Sequence, residues 1–112
     1  MKARIPGAPQ GGQAAMLQRL QDMQAEMQRT QEEVEATDYV ASAGGGAVEA
    51  TVTGAKVLKD IKIDPEVVDP EDVEMLQDMV IAAVNEALRK AEDAMVQGME
   101  KAKGGLNIPG LF

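Results

Sequence analysis

The feature that most constrains the fold is a helical pattern too long for the rest of the chain to cover. It runs from Pro70 to Lys103 and stops at Gly104-Gly105, about 34 residues or roughly 51 Å. Asp69 is a good N-cap in front of it, and Pro70 fits the first helical position. Strands of five to eight residues span only about 17–27 Å. One sheet from this chain therefore cannot bury the whole helix.

A second helical pattern lies near the start of the chain, from Gln13 to about Thr37. Its apolar positions are spaced alternately by four and three residues, which is the heptad pattern of a helix that packs against another helix. These positions are Met16, Leu20, Met23, Met27, Thr30 and Val34. Because Met fills irregular gaps, the seam predicts core or dimer packing. The alternative is a docking groove for a helix of another protein.

Between the two helices the apolar period changes to two, which predicts three strands. Leu58 interrupts the alternation of the third, and either a β-bulge or an edge-strand contact would explain it. The predicted fold is α+β, an αβββα protomer with a three-stranded antiparallel meander flanked by two long helices. The strands are Tyr39–Ala43, Val48–Thr53 and Val57–Asp64, joined by turns at Gly44–Gly46 and at Thr53–Lys56.

The second helix carries more apolar surface than one protomer can bury. Residues 79–84 are apolar all round, as in a helix segment that is buried on every side. Beyond them, small side chains form a stripe that another helix can approach closely: Ala87, Ala91, Ala94 and Gly98. A second copy of the chain is the economical partner, which predicts a homodimer. We expect residues 1–12 to be a flexible N-terminal segment, 13–103 a single domain, and 104–112 an apolar Gly/Pro tail.

The composition argues against an enzyme. The chain has no His, Cys or Trp, so it lacks the commonest metal ligands, the usual neutral-pH base and a thiol nucleophile. The sequence predicts no metal, no cofactor and no small-molecule substrate. It also contains neither an apolar run of about 20 residues nor a signal-peptide pattern. We therefore expect a cytoplasmic protein without a membrane partner.

The charge is unevenly distributed. The net charge is −8, but the acidic excess lies in residues 32–88, and both ends carry a small basic excess. Helices joined through a compact sheet run antiparallel by the simplest path, which brings the two basic ends together at the tips of helical arms. Their side chains are candidates for phosphate contacts; the alternative is a solvated helix end, where basic residues complement the helix dipole. The candidates are Lys2, Arg4, Arg19, Arg29, Arg89, Lys90, Lys101 and Lys103.

The order of these segments resembles the YbaB/EbfC family of bacterial nucleoid-associated proteins. The likeness covers roughly residues 13–103, and Asn107–Gly110 is similar to the family's apolar Pro/Gly tail. Its motifs are Gln31-Glu32-Glu33-Val34, Gly44-Gly45-Gly46-Ala47-Val48, Ile61-Lys62-Ile63-Asp64-Pro65-Glu66, Glu74-Met75-Leu76, and the run from Ala82 to Ala91.

The resemblance implies a tweezer-like homodimer whose paired helices project as arms and bind double-stranded DNA in the nucleoid. No segment has the pattern of a recognition helix with Arg or Asn near its N-terminus to contact base edges in the major groove. We therefore expect weak sequence preference. The competing hypothesis is a coiled-coil-like protein-interaction or chaperone-type adaptor dimer without DNA binding. In that case the Met-rich seam and the apolar tail would contact a protein partner.

Overall fold

The computed structural model describes residues 9–104, with side chains from residue 12 onward. It confirms the predicted α+β fold. The molecule measures 90 × 25 × 15 Å with a radius of gyration of 23.4 Å, against about 13 Å for a compact domain of this length. The chain is therefore rod-like. Its elements are α1 (Pro9–Glu35), β1 (Asp38–Ala43), β2 (Val48–Thr53), β3 (Leu58–Ile63), a 3-10 turn (Pro65–Val67) and α2 (Val73–Gly104).

The core lies between α2 and the middle strand. The sheet has the order β1-β2-β3 with both pairs antiparallel, and α2 packs on β1 and β2. Alternate residues of β2 are fully buried, and three α2 residues spaced four apart pack against them. These side chains are small, so the helix approaches the sheet closely. They are Val48, Ala50 and Val52 from β2, and Ala83, Ala87 and Ala91 from α2.

The irregularity at Leu58 is a β-bulge. Thr51 lies opposite Asp60, whereas the next residue, Val52, lies opposite Leu58. Lys59 is therefore the extra residue of β3, as in a bulge that sets two residues against one. Its ammonium group reaches across the sheet to the Asp38 carboxylate at 2.8 Å. The bulge alternative is confirmed.

Both helix starts differ from the prediction. The first helix begins at Pro9 rather than Gln13, and the second at Val73 rather than Pro70. Two aspartates precede α2, and only one of them caps the helix. The Asp69 carboxylate accepts from the Glu71 amide at 2.9 Å and closes a separate turn, whereas Asp72 accepts from the Met75 amide at 3.2 Å and caps the helix. The predicted three-part division of the chain remains a prediction, since residues 1–8 and 105–112 lie outside the described range.

The two helices run antiparallel and pack along the second half of α2. A Cβ atom built at Gly98 would lie 2.7 Å from Thr30 Cγ2 and 3.7 Å from Val34 Cγ2, so Gly98 allows the close approach. On α1 the seam residues from Met23 onward are partly buried, whereas Met16 and Leu20 are exposed. The predicted seam therefore packs within the protomer over only part of its length.

The small-residue stripe of α2 is occupied by the same chain. Ala87 and Ala91 lie on the sheet, and Gly98 meets α1. The expectation that a second copy fills this stripe is wrong, because the chain's own elements already do. Residues 79–84 are not buried on every side within the protomer either, since Ile81 is 56 % exposed.

Gly54 offers a test of the contact between the β2–β3 turn and α1. Its amide donates to the Thr37 carbonyl at 3.0 Å, and a Cβ built there would overlap the Val34 carbonyl oxygen. Because that neighbour is backbone, we expect Gly54→Ala to lower the free energy of unfolding by about 3 kcal/mol, the upper part of the range for overpacked sites. Urea denaturation measures it.

Gly12→Ala is the matched control, because nothing lies within 4 Å of its built Cβ. Ala favours a helix over Gly, so this variant should be unchanged or stabilised by up to about 1 kcal/mol. Equal unfolding midpoints for Gly54→Ala and the parent chain would contradict the close contact.

Candidate nucleic-acid interface

Three exposed cations lie towards one end of the rod: Arg19 on α1, and Lys101 and Lys103 in the last turn of α2. Because Gly98 packs beside Thr30 and the helices are antiparallel, Lys103 lies beside about residue 25 of α1. Arg19 lies about 9 Å beyond that residue along the axis of α1. Within residues 12–104, none of the three forms a salt bridge. We call this group the basic tip. Its charges are available to an external anion.

Arg29 and Arg89 are instead paired with carboxylates on their own helices. Arg29 bonds to Glu26, and Arg89 bonds to Glu86 and, through Nη1 at 3.0 Å, to Asp93. The hydrogen bond from Arg29 lowers the pKa of Glu26, and that from Arg89 lowers the pKa of Glu86. These carboxylates therefore stay ionised at neutral pH. The spacings of three and four residues were the sequence signal for such pairs.

The remaining predicted site residues are not brought to the tip. The Lys90 ammonium donates to the Val40 carbonyl at 2.8 Å, which places it over β1. It lies about 16 Å along α2 from Lys101. Lys2 and Arg4 lie outside the described residues. The structure thus brings three of the eight candidates together at the tip. Of three others, Arg29 and Arg89 are in ion pairs and Lys90 lies over the sheet.

A group of acidic residues lies at the other end. Asp72, Glu74 and Asp78 line a shallow depression beside Gly44, and Glu74 is about 44 Å along α2 from Lys103. The screening length is about 8 Å at physiological salt, so this end does not weaken the field at the basic tip. The sheet lysines have carboxylate partners, in the pairs Lys56–Glu92, Lys59–Asp38 and Lys62–Glu49.

The described residues contain little else that bears chemistry. No group of three or more His, Cys, Asp or Glu side chains between residues 12 and 104 is placed to hold a metal ion. Within the described residues, neither helix is long and apolar enough to cross a membrane. The arrangement can bind phosphate groups by charge.

The protein is an elongated αβββα rod with a basic tip that can bind anions. The model of the YbaB/EbfC DNA-binding family matches residues 10–106, and the chain belongs to that family. It is 50% identical over 110 residues to a nucleoid-associated protein of Clostridium acetobutylicum, with 98% of each chain covered. It is 55% identical to one of Alkaliphilus metalliredigens, covering 87% of this chain and 85% of the relative.

A solved structure has a similar fold. It is the crystal structure of an uncharacterized protein from Helicobacter pylori, with a TM-score of 0.58 and 27% identity, covering 70% of this chain and 90% of the other. The family and the two named relatives are designated by DNA binding or nucleoid association. The protein is accordingly a member of a DNA-binding family and not an enzyme.

Replacing Arg89 with Gln tests whether this guanidinium is committed to its own helix. Because the hydrogen bond from Arg89 is the main cause of the lowered pKa of Glu86, we expect that pKa to rise in Arg89→Gln. An NMR pH titration of the glutamate side chains measures it.

A lowered carboxyl pKa contributes stability above the unfolded pKa, and that stability is lost as the pH falls through the folded pKa. The pair is solvent-exposed, so this part of the pH dependence should be small. An unchanged Glu86 titration in Arg89→Gln would show that the pair does not persist in solution.

Proposed function

We propose that this protein binds duplex DNA as a homodimer through the basic tips of its helical arms, with weak sequence preference, in the bacterial cytoplasm. Membership of a DNA-binding family supports DNA as the partner. The observation that carries the proposal is the basic tip itself: within the described residues, Arg19, Lys101 and Lys103 have no carboxylate partner. Two-fold symmetry would double this set to about six charges.

Homodimerisation is supported by apolar surface that the protomer leaves open beside β3. Leu58 pairs with Val52 and Ile63 pairs with Val48, so both point to the side of the sheet that carries the core. They remain exposed because α2 packs on β1 and β2 instead. Lys90 lies over β1, and Ile81 is about 180° from it around the axis of α2. Ile81 therefore lies on the β3 side of the helix. Exposed apolar side chains of this kind are typical of an interaction site.

Weak sequence preference is supported by the helix ends. The start of α2 carries Asp72 as its cap and Glu74 in its first turn, which disfavours insertion of this end into a groove. The basic tip consists of flexible Lys and Arg side chains at the other end of α2 and along α1. Such side chains suit phosphates, which position a protein on DNA without reading bases.

A titration of random duplex DNA at several salt concentrations tests the proposal. If about six phosphates are neutralised per dimer, log affinity should fall against log salt with a slope of roughly −5. Reversing the charges in Lys101→Glu with Lys103→Glu should weaken binding strongly and flatten the slope without unfolding the protein. A gel shift or fluorescence anisotropy measures both.

The matched control is Lys56→Glu with Lys62→Glu, which changes the net charge equally on the sheet side. We expect it to bind nearly as the parent does. If the sheet variant loses more affinity than the tip variant, DNA binds on the other face. A flat salt response, or no complex at low salt, would favour the protein-interaction adaptor.

A single charge on the β3 side of α2 tests the dimer. Ile81 is 56 % exposed and Val96 is 46 % exposed on the same helix, so Ile81→Asp and Val96→Asp have similar costs within the protomer. Burying an unpaired carboxylate in an interface is strongly unfavourable. By sedimentation at low micromolar concentration, we expect the parent and Val96→Asp to be dimers and Ile81→Asp to be a monomer. A monomeric parent chain would contradict the homodimer, and a dimeric Ile81→Asp would contradict this interface.

A further inference from the structure

A shallow groove runs along one side of the arm, where α1 packs on α2. Its walls are mostly polar, and one partly buried methionine from each helix lies between them. We call it the glutamine groove, after the residue type that α1 contributes most often. It is lined by Gln24, Met27, Gln28, Gln31, Glu32, Glu35 and Met99.

Two of the three glutamines have amide groups available to a ligand. The Gln31 amide donates to the Glu35 carboxylate at 3.2 Å. Gln24 and Gln28 are exposed, and within residues 12–104 neither of their amides forms a hydrogen bond. A glutamine amide carries two N–H donors. These two side chains can therefore donate to an oxyanion without bringing a charge.

The glutamine groove has a basic end and an acidic end. Lys103 is four residues beyond Met99, so it lies one turn farther along the same side of α2. It is beside about residue 25 of α1 and thus close to Gln24. Glu32 and Glu35 line the end nearer the sheet. A polyanion that enters from the basic tip would reach the free amides before it met these carboxylates.

The two sides of α1 differ in charge along this stretch. Asp22 and Glu26 are each two residues from Gln24, so they lie about 160° around the helix from it. There Asp22 accepts from the Gln18 amide, and Glu26 pairs with Arg29. The side of α1 away from the groove therefore repels a phosphate backbone, whereas the side that lines the groove offers neutral donors.

We propose that the glutamine groove carries the DNA backbone inward from the basic tip, with the amides of Gln24 and Gln28 donating to phosphate oxygens. The backbone passes Lys103, follows the two amides and leaves the groove before Glu32. This inference rests on the proposed function and specifies which side of each arm the DNA contacts. Side-chain amides that bind phosphates position a protein without reading bases, in keeping with weak sequence preference.

Removing both amides tests the contact. In Gln24→Ala with Gln28→Ala, we expect affinity for random duplex DNA to fall by about three- to tenfold for each hydrogen bond lost. Neutral amides release no counterions, so the slope of log affinity against log salt should stay that of the parent. Ala favours a helix, and circular dichroism should show an unchanged fold. Fluorescence anisotropy at several salt concentrations measures affinity and slope together.

Adding a charge in the groove should have the opposite effect. In Gln28→Lys we expect tighter binding at low salt. The slope should steepen by about 0.9 for each phosphate that the new ammonium groups neutralise. The same titration measures both.

Gln97 provides the matched control for both changes. It is exposed on α2 and lies beside about residue 31 of α1, within one turn of Gln28 along the arm. It is two residues from Met99 and therefore lies on the other side of α2, about 160° from the groove. We expect Gln97→Ala to bind as the parent does and Gln97→Lys to leave the slope unchanged.

The outcomes separate this inference from the proposed function. Parent-like affinity of Gln24→Ala with Gln28→Ala would overturn the inference, while the proposed function would stand if charge reversal at the basic tip still weakened binding. A larger response at Gln97 than at Gln28 would also overturn it, because DNA would then follow the other side of the arm. A parent chain that forms no complex at low salt would overturn the proposed function and this inference together.

Discussion

The close contact between α2 and the sheet, made through alanine side chains, is the interaction on which the rest of the structure depends. Ala83, Ala87 and Ala91 are small and fully buried, so the helix can pack closely on the sheet. The core is correspondingly small, because Val48 and Val52 are the largest fully buried side chains. A helix that is longer than the sheet must find a second partner beyond it. That partner is α1, whose close approach Gly98 allows.

The length of α2 also separates the charges. Since α2 begins among acidic residues and ends with Lys101 and Lys103, one helix carries both extremes of the charge distribution. The distance between its ends is several screening lengths at physiological salt. A protein with net charge −8 can therefore present a locally basic surface. Under the proposed function, DNA is attracted by contact with the tip, and long-range electrostatic steering of the whole molecule contributes little.

The sequence predicted the elements well and their partners less well. Period and turn chemistry located all three strands. The break at Leu58 indicated either a bulge or an edge-strand contact, and the structure has the bulge. Helix starts were misplaced because Asp69 and Asp72 are both good caps, and only the course of the chain selects between them. Periodicity also indicates that the stripe through Ala91 and Gly98 is buried. It does not indicate which element packs against the stripe. Of the candidate residues, Arg19, Lys101 and Lys103 lie towards one end of the rod, whereas Arg29 and Arg89 form ion pairs with residues three or four positions away.

Those ion pairs decide how much charge the arms can offer. Exposed pairs are weak in water, so a phosphate could in principle draw Arg29 away from Glu26. The carboxylate would stay on the same face of α1, one turn away, and would face the same phosphate. Arg29 therefore brings an opposing charge to any backbone it approaches, and its net contribution is close to zero. The same holds for Arg89, which lies between Glu86 and Asp93. Among the described residues, the proposed electrostatic affinity for DNA therefore rests mainly on Arg19, Lys101 and Lys103, whose position beyond the sheet is fixed by the packing of α1 on α2.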